Sequence, residues 1–242
     1  MINIIQREQP DIMILVETKL AGKSCFKIDG YNQVIQRNRK ELGGGLLIAV
    51  KNNTGIEMII LNIEDKQEIM WVKIKMKHIT YMIGVVYGYA AESRTSDEEI
   101  EEWYFNLEKE ISKYSDEKII IVGDFNAHVG RDDLGIPNNH ENINQNGEKL
   151  RSLVERRELI MINATHKCKG KWTREDPNGT KSILDYVITN EHAYDNIKNM
   201  IIDEEHNIKF TRFLKSKKQS IEKPSDHNTI TFLLHGQKTR EK

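Results

Sequence analysis

The chain has 242 residues, of which 38% are hydrophobic and 30% charged, and its formal net charge is -1. This length suits one large domain or two small ones, and the balanced charge excludes a polycation, so any nucleic-acid contact has to come from a local patch. Cys25 and Cys168 fit no metal-binding CxxC pattern and indicate reduced thiols in an intracellular protein. The first residues are too few and too charged for a signal peptide, and no apolar run approaches the ~18 residues of a membrane span.

The predicted elements are mostly strands. Residues 2–9 read as the end of a helix that Pro10 stops. Seven apolar runs of strand length follow, rich in β-branched and aromatic residues and mostly bounded by turn formers. They cover 11–18, 43–50, 68–75, 80–87, 118–124, 182–189 and 228–234.

Two further stretches predict helices. In 95–114, Ser96 and Glu99 form a capping-box signature. In 146–160, Asn146 is the expected N-cap. The inward-facing residues are predicted to be Ile100, Trp103, Tyr104, Leu107 and Ile111 in the first helix and Leu150, Leu153 and Val154 in the second.

The connections between the strands predict the architecture. Short or polar loops join 43–50, 68–75 and 80–87, which indicates an antiparallel meander. The turn sequence DPNG at 176–179 predicts a hairpin between 170–175 and 181–189. We therefore expect an α+β fold in which two largely antiparallel sheets pack face to face with helices outside.

Polar residues stand at the ends of several apolar runs. Glu17 ends the first run and Asp124 ends the run IIIVGD, while Asp226 and His227 open the last one. If the last strand runs antiparallel to the other two, these groups meet at one edge of the sheets. Carboxylates gathered there repel one another unless a cation lies among them, and hard oxygen ligands select Mg²⁺ or Mn²⁺ over zinc.

Asp185 lies inside an apolar run. Alternation places Asp185 on one face with Ile183 and Val187. A carboxylate among apolar neighbours needs a partner, and His227 is the natural one because the pair would fix the tautomer of the imidazole and raise its pKa. Each of these features alone is typical of an ordinary strand end or turn, so their conjunction carries the hypothesis of a phosphoester-cleaving site.

Five motifs in chain order resemble the endonuclease/exonuclease/phosphatase superfamily. They are ETK (17–19), VVYGY (85–89), GDFNAHVG (123–130), the KWT…ILDYVIT hairpin (171–189) and SDHN (225–228). GDFNAH and the hairpin with its tryptophan are similar to the endonuclease domains of non-LTR, LINE-type retrotransposons and to craniofacial development protein 2-like proteins. The resemblance implies a four-layered, deoxyribonuclease I-like sandwich and a Mg²⁺-dependent phosphodiesterase.

The resemblance also implies roles for individual residues. Asp124 would be the general base, His227 would stabilise the scissile phosphate, and Asp185 would orient His227. The implied catalytic set is Asp124, Asn126, Asp185, His227 and Tyr87, the implied metal set is Glu17, Asp226, Asp124, Asn126 and His227, and the implied substrate-binding set is Lys19, Trp172, Lys215, Lys217 and Lys218.

The chain departs from the family pattern at its beginning. Family members start with a strand that carries an asparagine near the site, whereas this sequence starts at Met1 within the helix that follows. We therefore expect the N-terminal strand to be missing, a domain over 1–236 and a polar tail over 237–242. The resemblance further implies a nuclear, monomeric protein that is fused to or followed by a reverse transcriptase in a full-length product.

Three functions compete at this point. The first is a Mg²⁺- or Mn²⁺-dependent DNA endonuclease, and it is favoured by residues 209–223, which hold six Lys or Arg against one Glu directly before SDHN. The second is a phosphatase or phosphodiesterase of the same fold acting on an inositol phosphate, a lipid or RNA. The third is a catalytically impaired remnant that only binds nucleic acid, which a missing strand would favour and the intact polar residues disfavour.

Overall fold

The computed structural model describes residues 8–20, 22–27, 29–38, 44–64, 67–90, 95–130, 143–205, 210–214, 219–223 and 225–235. Within these residues no helix is both long and apolar enough to cross a membrane. The helix end predicted before Pro10 lies almost entirely outside the described residues, and so does the tail predicted over 237–242.

A mixed six-stranded sheet forms the central layer. Its strands, in spatial order, are β4 (Ile56–Ile63), β5 (Ile69–Met76), β6 (Ile79–Tyr87), β7 (Ile119–Asp124), β12 (Asp185–Thr189) and β8 (Ile160–Met161). Strands β6 and β7 run parallel because helix α1 (Asp97–Lys113) carries the chain back between them, and all other neighbours run antiparallel. The apolar part of β7 is buried on both faces, as its continuous β-branched run predicts.

Two three-stranded sheets cover one face of this central sheet. In spatial order, the first holds β1 (Ile12–Val16), β3 (Leu46–Lys51) and β2 (Tyr31–Arg37), and the second holds β16 (Ile230–Leu234), β13 (Ile197–Ile202) and β9 (Cys168–Lys169). Apolar side chains of both share one buried cluster with β5, β6 and β7. Among the described residues, β1 pairs only with β3, and β16 pairs only with β13. The strand that we expect to be missing would precede residue 8, outside the described residues, so its absence stays a prediction.

The opposite face of the central sheet is covered by helix α1 and helix α2 (Gln145–Arg156), whose apolar faces are buried as predicted. The fold is therefore the predicted α+β sandwich. The remaining elements are short: strands β10 (Arg174–Glu175) and β11 (Lys181–Ser182), strands β14 (Phe210–Leu214) and β15 (Gln219–Lys223), helix α3 (Glu191–Tyr194) and the 3-10 turn Ile162–Ala164. Strands β10 and β11 pair antiparallel across the DPNG turn, so the predicted hairpin is confirmed.

Two local predictions about helix starts have different outcomes. The capping box of Ser96 and Glu99 is present in both of its hydrogen bonds. The second helix is capped by Asn144 and not by Asn146, because the side-chain oxygen of Asn144 accepts from the amide of Gly147 at 2.8 Å. Asn146 lies buried inside the helix and uses its side chain elsewhere.

The predicted meander of 43–50, 68–75 and 80–87 is wrong in its first member. Strand β3 belongs to one of the three-stranded sheets. Of the three predicted strands, only β5 and β6 are neighbours in the central sheet. The chain changes sheets through a turn at which Asn53 and Gly55 have positive φ, and it then adds β4, whose apolar pattern is interrupted by Glu57 and Asn62.

The alternation assumed around Asp185 is also wrong at one position. Strand β12 begins at Asp185, so the period of two does not extend back to Ile183. Ile183 packs with Tyr186 and Ile188 in the cluster beneath the helices, whereas Val187 packs in the cluster between the sheets.

Candidate active site

Three strand ends of the central sheet bring Tyr87, Asp124 and Asp185 side by side. Asp124 is the register partner of Tyr87 in the parallel pair and of Asp185 in the antiparallel pair. The two carboxylate residues are only 4% and 8% exposed. The apolar run of β7 therefore ends on a rigidly held, buried carboxylate.

His227 reaches this pair from the segment that precedes β16. Its Nδ1 lies 2.9 Å from Oδ2 of Asp185, and its Nε2 lies 4.0 Å from Oδ2 of Asp124. The His227 amide donates to the hydroxyl of Ser225, and its backbone forms a bridge with Arg174 of the hairpin. The contact between Asp185 and His227 that the sequence suggested is thus found.

The hairpin fixes Asp185 from the other side. Thr173 is fully buried, and its hydroxyl oxygen accepts from the amides of Leu184 at 2.9 Å and Asp185 at 3.1 Å. The side chain of Asn163 donates to the Asp185 carbonyl at 3.1 Å. Thr173 of the KWT motif therefore holds the backbone that carries the Asp185 carboxylate.

The charges of the cluster depend on one another. Burial, followed by the nearby Asp185 carboxylate, raises the pKa of Asp124 to about 8, although His227 acts in the opposite direction. Burial alone would lower the pKa of His227, but the charge of Asp185 and its hydrogen bond, with Asp124 and Asp226, raise it to about 9. At neutral pH the imidazole is therefore a cation paired with the Asp185 carboxylate.

Asn126 organises the loop behind Asp124. Its amide donates to Oδ1 of Asp124 at 2.8 Å, and its side chain donates to the Gly88 carbonyl at 3.0 Å. Its φ of 48° lies in the left-handed region that asparagine tolerates better than most residues. Its carbonyl accepts from the side chains of Asn144 at 2.8 Å and Asn146 at 3.2 Å, a role that the sequence did not indicate for either asparagine.

Glu17 and Asp226 lie at the border of the cluster. Glu17 is not among the three groups whose ligand atoms lie within 4.8 Å of one another, but its charge still raises the pKa of Asp124 slightly. Its carboxylate pairs with the exposed Lys19 at 3.3 Å. The Asp226 carboxylate meets Arg174 at 3.4 Å. Burial would raise the pKa of Asp226, but His227, its own backbone amide and Arg174 together hold it below its usual value.

The other predicted substrate-contacting residues have different surroundings. Tyr87 is half-buried and packs against the core between the sheets. Trp172 packs against the core beneath the helices, its amide donates to Glu204, and Lys171 lies over its ring. Lys215, Lys217 and Lys218 lie outside the described residues.

The donor set of the cluster fits a hard divalent cation. Asp124, Asp185 and His227 form a group that could hold a metal ion, and a cation there would oppose the burial and the Asp185 charge that raise the pKa of Asp124. The raised pKa of His227 disfavours its implied role as a metal ligand, because a protonated imidazole has no lone pair to give. The buried carboxylates, with Glu17 and Asp226 at the border, are the better oxygen donors.

The comparison with protein families decides the ancestry. The sequence matches the endonuclease/exonuclease/phosphatase family over residues 1–227. The chain belongs to this family. The five motifs that carried the resemblance are therefore those of a family member.

Solved structures of the endonuclease/exonuclease/phosphatase type share the fold. The endonuclease domain of TRAS1, a telomere-specific non-LTR retrotransposon, has a TM-score of 0.66 at 17% identity and covers 97% of this chain and 90% of its own. The 3'-5' exonuclease NExo from Neisseria meningitidis has a TM-score of 0.65 at 18% identity and covers 96% and 92%. The AP endonuclease LMAP from Leishmania major has a TM-score of 0.66 at 14% identity and covers 97% and 81%. A comparison with curated proteins found no match.

Proposed function

We propose that this chain is a Mg²⁺- or Mn²⁺-dependent endonuclease that nicks one strand of DNA. The observation that carries the proposal is the buried cluster in which His227 lies 2.9 Å from Asp185 and 4.0 Å from Asp124. Phosphodiester cleavage needs a base for the attacking water and positive charge on the phosphoryl oxygens, and this cluster offers both.

Each residue has one task in this proposal. Asp124 accepts the proton of the attacking water, while His227, kept protonated by Asp185, faces a phosphoryl oxygen. Burial and the Asp185 charge raise the pKa of Asp124 to about 8 even though the His227 cation acts in the opposite direction, so a further cation beside Asp124 would favour its ionised, basic form. When bound, a divalent cation supplies that charge and also neutralises the phosphoryl oxygens. Glu17 and Asp226 remain our proposed ligands, and Tyr87 a proposed phosphate contact.

DNA is favoured as the substrate by charge and by relatives. The segment 209–223 is strongly basic although the whole chain is nearly neutral. One relative is the endonuclease domain of a retrotransposon, and another structure of NExo is bound to a DNA hairpin. We propose a nuclear, monomeric enzyme and, in a longer product, an adjoining reverse transcriptase.

A comparison of substrates tests the proposal. Purified chain in Mg²⁺ should convert supercoiled plasmid to the nicked form at far lower enzyme concentrations than it needs to release phosphate from inositol trisphosphate or para-nitrophenyl phosphate. The reverse order would support the phosphatase alternative. Binding of the plasmid without any turnover would support the impaired remnant and overturn the endonuclease.

The basic segment should set affinity and leave the chemistry unchanged. Replacing Lys215, Lys217 and Lys218 by Gln should reduce the slope of log Kd against log salt by about 0.9 for each lost phosphate contact on duplex DNA. The saturated cleavage rate should stay close to that of the parent. A salt slope identical to the parent's would place these lysines away from the DNA, and Lys198→Gln on the exposed face of β13 is the matched control.

A further inference from the structure

A buried ion pair lies away from the catalytic cluster. The guanidinium of Arg37, at the end of β2, donates to Oε1 of Glu68 at 2.7 Å, and these residues are 8% and 3% exposed. Burying two charges costs desolvation that their attraction often fails to repay, so such a pair is weak evidence of stabilisation. What the pair holds in place is therefore more informative than its energy.

The ion pair is connected through Gly45 to the turn that contains Glu17. Oε1 of Glu68 also accepts from the amide of Gly45 at 2.6 Å. The carbonyl of Gly45 accepts from the amide of Thr18 at 3.1 Å, and the carbonyl of Gly44 accepts from Lys19 at 2.8 Å. These bonds hold the turn in which Glu17 and Lys19 have φ values of 53° and 55°, a conformation that non-glycine residues adopt only when their surroundings enforce it.

The two loops approach each other very closely at Gly45. Its φ is 98°, and a Cβ added there would lie 2.4 Å from the hydroxyl oxygen of Thr18. The close approach of the two loops thus depends on a glycine whose amide is directed by Glu68.

The backbone of Glu68 contacts the strand ends of the central sheet. The Glu68 carbonyl accepts from the amide of Tyr87 at 2.9 Å, and the next amide, that of Gly88, donates to the Asp124 carbonyl at 2.7 Å. Glu68 therefore joins the outer sheet, which carries Glu17, to the central sheet, which carries Asp124.

We propose that Glu68 and Arg37 are positioning residues that fix the Glu17 carboxylate relative to Asp124 and thereby set the affinity of the site for its divalent cation. This inference rests on the proposed function, because it takes Glu17 and Asp124 as partners around one cation. Outer contacts of this kind change metal affinity by about 10- to 100-fold when they are removed.

The test compares two equally buried glutamates. Glu68→Gln removes the charge of the positioning pair, and Glu110→Gln removes a carboxylate that is also 3% exposed but binds Asn62 and Lys113 on the helix side. Both variants should lower the melting temperature. Only Glu68→Gln should weaken binding of Mn²⁺, measured by calorimetry or electron paramagnetic resonance without DNA, by about tenfold or more. Its nicking rate should recover at high Mn²⁺.

Arg37→Lys keeps the charge but loses the second contact of the guanidinium, which donates to the Glu64 carbonyl at 3.2 Å. It is the milder variant should Glu68→Gln fail to fold, and it should weaken Mn²⁺ binding measurably while Glu110→Gln does not. Unchanged Mn²⁺ affinity in the folded Glu68 or Arg37 variant, or an equal loss in Glu110→Gln, would overturn the inference. A parent that binds no Mn²⁺ would overturn it too. Weaker Mn²⁺ binding in a protein that nicks no DNA would overturn the proposed function alone.

Discussion

Replacing His227 by alanine should reduce strand cleavage by about 10²- to 10³-fold, the usual loss when one preorganised donor to a developing oxyanion is removed. Asp185→Asn should lose most activity as well, because Asp185 holds the imidazole at 2.9 Å and keeps it protonated. The double variant should lose little more than the worse single variant, since residues that act as one unit are not additive. Additive losses would mean that Asp185 is a structural carboxylate.

The pH dependence of cleavage tests whether Asp185 acts by keeping His227 protonated. Because Asp185 is the leading cause that raises the pKa of His227 to about 9, its replacement should lower that pKa. The parent should lose activity only as the pH rises through about 9, and Asp185→Asn should lose its residual activity at lower pH. A basic limb that does not move would contradict the assignment of His227 as a protonated group.

Asp124→Asn should strongly reduce cleavage and at the same time stabilise the cation-free protein. Loss of a general base reduces rates by about 10²- to 10⁴-fold. The pKa of Asp124 is raised to about 8 in the fold, so the folded state keeps a proton that the unfolded chain gives up above about 3.8. Stability therefore falls as the pH rises between these values, by up to about 1.4 kcal/mol per unit.

Melting curves in EDTA between pH 5 and 9 measure this effect. The pKa of His227 is raised as well, so its stabilising contribution is full below about 6.5 and is lost as the pH rises through about 9. The parent should therefore melt at progressively lower temperature as the pH rises, and Asp124→Asn should melt higher than the parent by a margin that grows with pH. Asp116→Asn, at an exposed turn, is the control and should follow the parent. A difference in melting temperature that shrinks as the pH rises would contradict the raised pKa of Asp124.

The parts of the fold predicted from sequence are those with a strong local signal. The DPNG hairpin, the Ser96 capping box and the apolar run that ends on Asp124 each depend on neighbouring residues. Strands β2 and β4 were missed because few of their residues are fully buried, and half-buried polar residues such as Gln33 and Asn62 interrupt their apolar pattern. The order of strands in the sheets depends on tertiary contacts that no local window contains.

In the candidate site, too, the residues predicted from sequence are those with a strong local signal. Asp124, Asp185 and His227 could be found because each stands out against an apolar run or a motif. Asn144 and Asn146 could not, because an asparagine near a helix start is ordinarily read as a cap, and here both also hold the carbonyl of Asn126. Glu68 gave no signal either, since its role depends on Gly45, which lies 23 residues earlier in the chain.

The most direct test of the central claim is the nicking of supercoiled plasmid by the purified chain, followed by electrophoresis after addition of Mg²⁺, of excess EDTA, and of Mg²⁺ again. We expect nicking in Mg²⁺, arrest in EDTA and recovery when Mg²⁺ is restored, with nicking by Asp124→Asn in Mg²⁺ slower than the parent's by about 10²-fold or more. Robust nicking in EDTA, or by Asp124→Asn in Mg²⁺, would contradict the claim that this buried carboxylate and a divalent cation together cleave the strand.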